Sequence, residues 1–178
     1  MSAPGRPGVV TVSGNPRPGS RTTRLAVALG DALQEALRLP GAAQHLELAT
    51  LPAPFGADAG AALAEPLAAL RSARVAVIAT PTYKASYTGL LKAFVDLLPP
   101  AALAGMLAVP VLTLGAPGHT LAAEVHLRPL LHELGATTPT AAVTVLDAEL
   151  ADPEAAGRAW AERLVPSLRP LVTEGVPA

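Results

Sequence analysis

The sequence predicts an α/β fold in which one parallel, five-stranded sheet carries helices on both faces. Short apolar runs alternate with stretches of helical spacing along 178 residues, the order that builds βαβ units. The third apolar run, VAVIAT, is continuous where a half-buried strand would alternate, as expected of a strand covered on both sides. No internal repeat or second zone of composition breaks the pattern, and a chain of this length closes one well-buried core more readily than two.

In chain order, VVTVS (9–13) reads as the first strand, and Arg21 to about Leu39 as a helix with Leu25, Leu29, Ala32 and Ala36 on one face. QHLELA (44–49) is a second, weaker strand. A Pro/Gly/Ala-rich link leads to LAEPLAALRSA (63–73), a short helix that tolerates Pro66 only in its first turn. VAVIAT (75–80) is the third strand, and Gly89 to Leu98 is a helix stopped by Pro99-Pro100. LAVPVLTL (107–114) is the fourth strand, with Pro110 awkward for a central position because it donates no ladder hydrogen bond. Leu121 to Leu134 is a helix ended by Gly135, and TAAVTVL (140–146) is the fifth strand. Asp152-Pro153-Glu154 opens the last helix with a capping side chain, a proline at the first position and an acid in the first turn. Residues 1–8 are expected to be a disordered leading tail, 9–172 the domain, and 173–178 a closing tail.

Composition narrows the function classes. The formal net charge is −1, so no strong field points to nucleic acid or to an anionic membrane surface. There is no cysteine, which removes disulfides and thiolate metal sites and suits a cytoplasmic protein. The opening MSAPGRPGVV lacks the apolar segment of a secretory signal. No charged residue lies between Asp96 and Glu124, but Pro99, Pro100, Pro110 and Pro117 cut that span into pieces too short to cross a bilayer.

Between the first strand and first helix stands SGNPRPGSRTT (13–23). Gly14 and Gly19 have the spacing of a Walker A loop, yet Ser20-Arg21 follow where Lys-Ser/Thr belongs, and Pro16 and Pro18 offer no backbone N–H to a phosphate nest. The third and fourth strands end in Thr80-Pro81 and Leu114-Gly115, without a carboxylate for magnesium, and the dinucleotide fingerprint G-x-G-x-x-G is absent. The loop does offer the hydroxyls of Ser13, Ser20, Thr22 and Thr23, the guanidiniums of Arg17 and Arg21, and the N–H groups of a helix start. Such a dense set of donors suits a terminal phosphate monoester, which carries about −1.5 to −2 charges near neutral pH. The same residues also suit an ordinary strand–helix turn with a Ser/Thr cap.

After the third strand comes PTYKASYTGLLK (81–92), then Asp96 four residues beyond Lys92. The two loops together resemble the NADPH-dependent FMN reductase family of flavodoxin-like fold, and within it the small flavin reductases that serve two-component alkanesulfonate-type monooxygenases. The matching residues are Ser13-Gly14-Asn15-Pro16-Arg17-Pro18-Gly19-Ser20 in the first loop and Pro81, Tyr83, Gly89, Lys92 and Asp96 in the second, and the similarity runs from about Val9 to Leu146. The resemblance implies a three-layer sandwich with strand order 2-1-3-4-5 and reduction of FMN by NADPH or NADH. It implies that Ser13, Arg17, Ser20, Thr22 and Thr23 surround the FMN phosphate. Pro81, Thr82, Tyr83 and Lys84 would line the isoalloxazine ring, largely through backbone. Gly115, Gly118 and His119, in LGAPGHT after the fourth strand, would form a third loop at the ring's far edge. Ala116-Pro117 separates glycines that the family often has adjacent.

The implied chemistry fits the residue inventory. Hydride passes from nicotinamide to flavin, the cofactors carry the reaction, and the protein's task is to orient two rings; no nucleophile or general base is needed. The implied partners are a flavin-dependent monooxygenase and further copies of the chain, as a homodimer or homotetramer, with His126 in the neighbourhood of the subunit interface. Two other functions remain open at this point: an FMN-prosthetic quinone or azo reductase, and a non-enzymatic electron carrier of flavodoxin type. Lys92 and Asp96 read as a surface pair, His45 and His132 as packing or surface residues, and Trp160 as an anchor of the last helix.

Overall fold

The computed structural model describes residues 8–174. Five parallel strands, β1 (Val9–Ser13), β2 (Gln44–Glu47), β3 (Val75–Pro81), β4 (Leu107–Leu114) and β5 (Val143–Leu146), form one sheet in the order β2-β1-β3-β4-β5. This is the order the resemblance implied, and it is the flavodoxin-like doubly wound arrangement. The helices are α1 (Arg21–Ala36), a short α2 (Ala59–Ala62), α3 (Ala64–Ser72), α4 (Gly89–Val95), α5 (Arg128–Glu133) and α6 (Pro153–Glu174).

Side-chain alternation divides the core in two. Val9, Val75, Val77, Val109, Val111, Val143 and Val145 face α1 and α6, and pack on Leu25, Leu29, Leu33, Leu164 and Leu168. Val10, Val12, Ile78, Ala108 and Leu112 face the other way, onto Leu67, Leu70, Leu91, Phe94, Leu127 and Leu131 of α3, α4 and α5. Each fully buried leucine contributes about 1.5–3 kcal/mol of transfer free energy. The result is three layers, with α1 and α6 on one face. There α6 crosses α1 at Gly157, where an added Cβ would lie 2.8 Å from both Leu25 O and Leu29 N.

Pro110 sits inside β4 without breaking the sheet. The N–H of Leu107 points toward β3, to Arg74 O, while that of Ala108 points the other way, to Thr137 O. Alternation turns the Pro110 nitrogen toward the β5 side, and β5 pairs with β4 only from Val111 onward. The proline therefore occupies a gap where no donor is required.

Several boundaries differ from expectation. β2 ends at Glu47, and Leu48–Thr50 turn into a 3-10 helix; β5 begins at Val143 instead of Thr140. The helix expected over 121–134 is α5 preceded by a π-helical turn, Ala123–Leu127. In it the Arg128 N–H reaches back five residues to Ala123 O, and Pro129 has no N–H with which to resume α spacing. The last helix starts as expected, with Asp152 Oδ1 accepting from Ala155 N at 2.9 Å. Pro166 and Pro170 stand inside it on its exposed side, where water can satisfy the freed carbonyls.

Of the leading tail, residues 1–7 lie outside the described residues. Gly8 is buried, and its carbonyl accepts from Arg74 N and Val75 N. Of the closing tail, 175–178 lie outside, while Thr173 and Glu174 belong to α6. Among the described residues no helix is long and apolar enough to cross a membrane.

Candidate functional site

The site is built where β1, β3, β4 and β5 end, the edge at which open α/β sheets bind ligands. At the end of β1 the chain turns through a loop that Gly14 brings close to the other half of the sheet. Its N–H donates to Ala79 O (2.8 Å), and its carbonyl accepts from Thr88 Oγ1 (2.6 Å). A Cβ on Gly14 would lie 2.7 Å from Leu91 Cβ, so the first loop and the start of α4 meet only because a glycine stands there. Thr88 caps α4, accepting from Leu91 N at 3.2 Å, and its own N–H is held by Thr80 Oγ1.

The first loop is a hydroxyl network. Ser20 caps α1, its Oγ accepting from Thr23 N at 3.2 Å. Thr23 Oγ1 lies 2.7 Å from Ser13 Oγ and 3.0 Å from Ser20 Oγ. Asn15 Nδ2 donates to Thr22 Oγ1 (3.2 Å), which pairs with Thr113 Oγ1 (2.7 Å), and Asn15 Oδ1 accepts from Arg17 N. Among the described residues nothing accepts from the N–H groups of Ser20, Arg21 and Thr22. These are the free donors of a helix start, aided by the dipole of the 16-residue α1.

A cavity of about 220 Å³ opens directly over them, lined by Asn15, Arg17, Ser20, Arg21, Thr22, Pro81, Tyr83, Thr113 and Asp147, with Pro18 at its lip. Two larger grooves, of about 360 and 670 Å³, lie between α1 and α6, on the outer side of α1. Their charged walls include an exposed Arg24–Glu154 pair at 2.7 Å.

The second loop is a tight hairpin. Tyr83 N donates to Ser86 O (2.8 Å) and Ser86 N to Tyr83 O (3.1 Å), closing a turn whose central residues, Lys84 and Ala85, have φ of 52° and 62°. That pairing is a type I′ turn, normally served by Asn-Gly. Left-handed backbone costs an L-residue about 1–2 kcal/mol, so the hairpin is strained. Thr82 turns its N–H and hydroxyl onto Thr113 O (2.8 and 3.1 Å), which fixes the hairpin to the end of β4. Tyr83 is 43% exposed at the cavity rim. The third loop, after β4, has Gly115 and Gly118 exposed, and the buried Nδ1 of His119 has no hydrogen-bond partner among the described residues.

Of the residues singled out in the sequence, Arg17, Ser20, Thr22, Pro81 and Tyr83 line one cavity. Ser13 and Thr23 lie buried beneath it, holding Ser20 in place. Thr82 braces the hairpin, Lys84 projects from its tip, and Gly115, Gly118 and His119 stand outside the cavity wall. The cavity also takes in Arg21, read as a donor of the first loop but not among the residues placed around the FMN phosphate, Asn15, quoted only in the first-loop match, and Thr113 and Asp147, which had no assigned role. Thr113 and Asp147 close β4 and follow β5, and the rule that ligands sit beyond the carboxyl ends of strands would have flagged both.

Fold and site define an α/β protein with free N–H groups, hydroxyls and guanidiniums gathered at the ends of its central strands, beside a hairpin that puts Tyr83 at the cavity rim. Residues 7–149 match the model of the NADPH-dependent FMN reductase family, and the chain belongs to that family. It is 32% identical over 162 residues to the NADH-dependent FMN reductase SfnE of Pseudomonas putida, covering 88% of this chain and 86% of that one. It is 40% identical over 83 residues to the FMN reductase (NADPH) of Escherichia coli strain K12, a stretch that covers 47% of this chain and 44% of that relative's length. A solved structure of the NADH:FMN oxidoreductase EMOB in its apo form superposes with a TM-score of 0.73 at 33% identity, covering 88% of this chain and 89% of that one.

Proposed function

We propose that this protein is an NAD(P)H:FMN oxidoreductase that delivers reduced flavin to a flavin-dependent monooxygenase in the cytoplasm. The observation that carries the reading is the cradle. Three unpaired N–H groups, the hydroxyls of Ser20 and Thr22 and two guanidiniums converge on one small cavity, and that donor set fits a phosphate monoester.

Ser20, Thr22, Arg17 and the N–H groups of the first turn of α1 would hold the FMN phosphate, with Ser13 and Thr23 keeping Ser20 oriented from below. Pro81, Thr82, Tyr83 and Lys84 would flank the ring, and Gly115, Gly118 and His119 its far edge; the unpartnered His119 Nδ1 is a polar atom that a ligand there could satisfy. Bound flavin supplies the hydride acceptor and the nicotinamide supplies the hydride. What the chain contributes is position. The Thr82–Thr113 and Tyr83–Ser86 bonds hold the hairpin against the sheet edge, so a ring lying on it has one face toward protein and one toward an entering dinucleotide. Orientation of this kind, with reacting atoms roughly 3–3.5 Å apart, supplies most of the rate when no protein group exchanges a proton.

The protein is further proposed to be a homo-oligomer, dimer or tetramer. Supporting this, Leu121, just before the π-helical turn, and Val125, within it, stand 70% and 60% exposed, with His126 exposed beside them in the chain.

Calorimetric titration with FMN and with riboflavin, followed by anaerobic oxidation of NADPH and NADH with FMN present, tests the reading. Tight FMN binding, riboflavin at least tenfold weaker, and nicotinamide oxidation that requires FMN are expected. Equal affinity for the two flavins, or oxidation indifferent to FMN, would defeat it.

A further inference from the structure

Two carboxylates stand against donors beside the cradle, one by a hydrogen bond and one as an ion pair. Gly19 N–H, in the first loop just before the capping Ser20, is taken by Glu47 Oε1 at 2.7 Å. Arg21 donates through Nη1 to Asp147 O at 2.8 Å, and its Nη2 lies 3.6 Å from Asp147 Oδ2. Asp147 shares the cavity wall with Arg17 and Arg21. Glu47 is the last residue of β2, and Asp147 immediately follows β5. The two edge strands therefore each bring one carboxylate to this end of the sheet, Asp147 into the cavity wall and Glu47 beside it at Gly19, between the lining residues Pro18 and Ser20.

The charges cancel. Arg17 and Arg21 supply two positive charges and Glu47 and Asp147 two negative ones, so an arriving phosphate of about −1.5 to −2 charges gains no net side-chain charge here and relies on the hydroxyls and the free N–H groups of α1. It must also compete with Asp147 for the Arg21 guanidinium and with Glu47 for the Gly19 N–H.

We infer that Glu47 and Asp147 are affinity-setting residues: they hold flavin phosphate binding weak, so that FMN enters and leaves as a substrate. This rests on the flavin-phosphate reading above. Glu47 acts through the N–H it occupies and Asp147 through its charge beside Arg21, and neither is assigned a contact with the ring.

The test is calorimetric titration of wild type, Glu47→Gln, Asp147→Asn and the double variant with FMN and with riboflavin, at low and high salt. Both amides are near-isosteric, and ligand-free melting curves establish that each variant is folded. FMN is expected to bind about fivefold more tightly to each single variant and more tightly still to the double, within the range of partly exposed charge pairs. Riboflavin affinity should not move, and added salt should shrink the gain by screening. FMN affinity that is unchanged or lower in both folded variants, with riboflavin still far weaker than FMN, overturns the inference and leaves the phosphate reading standing. Equal binding of FMN and riboflavin by wild type overturns both.

Discussion

Lys84 and Ala85 hold a turn that glycine would hold at lower cost. Two L-residues with φ of 52° and 62° persist because Tyr83 and Ser86 exchange two hydrogen bonds and Thr82 is tied to β4. Replacing Ala85 by glycine should relieve left-handed strain, offset in part by the greater freedom of glycine in the unfolded chain. The expected outcome is a net gain of about 0.5–1 kcal/mol in urea unfolding; a loss would show that the turn is not strained. Lys84 was legible in the sequence as a residue of the second loop, but its backbone geometry was not. Neither lysine nor alanine signals a type I′ turn, and only the pairing of its neighbours imposes one. Gln34 shows the same limit. It lies in the amphipathic pattern of α1, yet its buried carboxamide accepts from Val9 N and donates to the carbonyls of Leu39, Pro40 and Gly41.

The π-helical turn and α5 form one element with an internal brace. Arg128 forms a two-pronged pair with Glu124 and donates to Thr138 O, Thr138 Oγ1 and Thr140 O, while Glu124 Oε1 also accepts from Ala142 N. The helix is thereby tied to the segment that enters β5. The Arg128 hydrogen bond holds the Glu124 carboxyl below its ordinary value of 4.5, aided by the Ala142 N–H and opposed by burial. A carboxyl depressed on folding stabilises the protein above its unfolded-state value, and that stabilisation is lost as pH falls below 4.5 and through the folded value. Glu124→Gln should therefore cost about 1 kcal/mol at pH 7, with the gap between variant and wild type closing in acid. A gap that stays constant from pH 7 to about 3.5 would contradict the pairing. The apolar spacing of Ala123, Leu127, Leu131 and Leu134 made the helix legible. The extra residue in its first turn was not, because it depends on Arg128 finding acceptors ten and twelve residues away, together with the missing donor of Pro129.

At the scale of the molecule, four large apolar side chains stand exposed among the described residues: Phe55, Tyr83, Leu121 and Val125. Tyr83 belongs to the site. Leu121 and Val125 lie together on the turn before α5, where a second copy would cover them. Sedimentation of wild type should give a mass above that of the monomer, and Val125→Glu should reduce it without changing the far-ultraviolet spectrum. A monomeric wild type would leave that apolar face without the partner proposed for it.

Strand number, helix order and the two ligand loops were readable because each rests on local chemistry: continuous apolar runs, caps and prolines, and hydroxyls clustered at one turn. The ends of β2 and β5 were not, since edge strands stop where neighbours stop pairing and not where their own propensity fails. The same holds for the outer half of the site. Thr113, Arg21 and Asp147 meet only because α1 crosses the sheet from β1 toward β5, and a contact spanning 126 positions between Arg21 and Asp147 has no trace in the spacing of either residue. Local sequence sets which groups can bind an anion, and the crossing of the layers decides which opposing charges stand beside them.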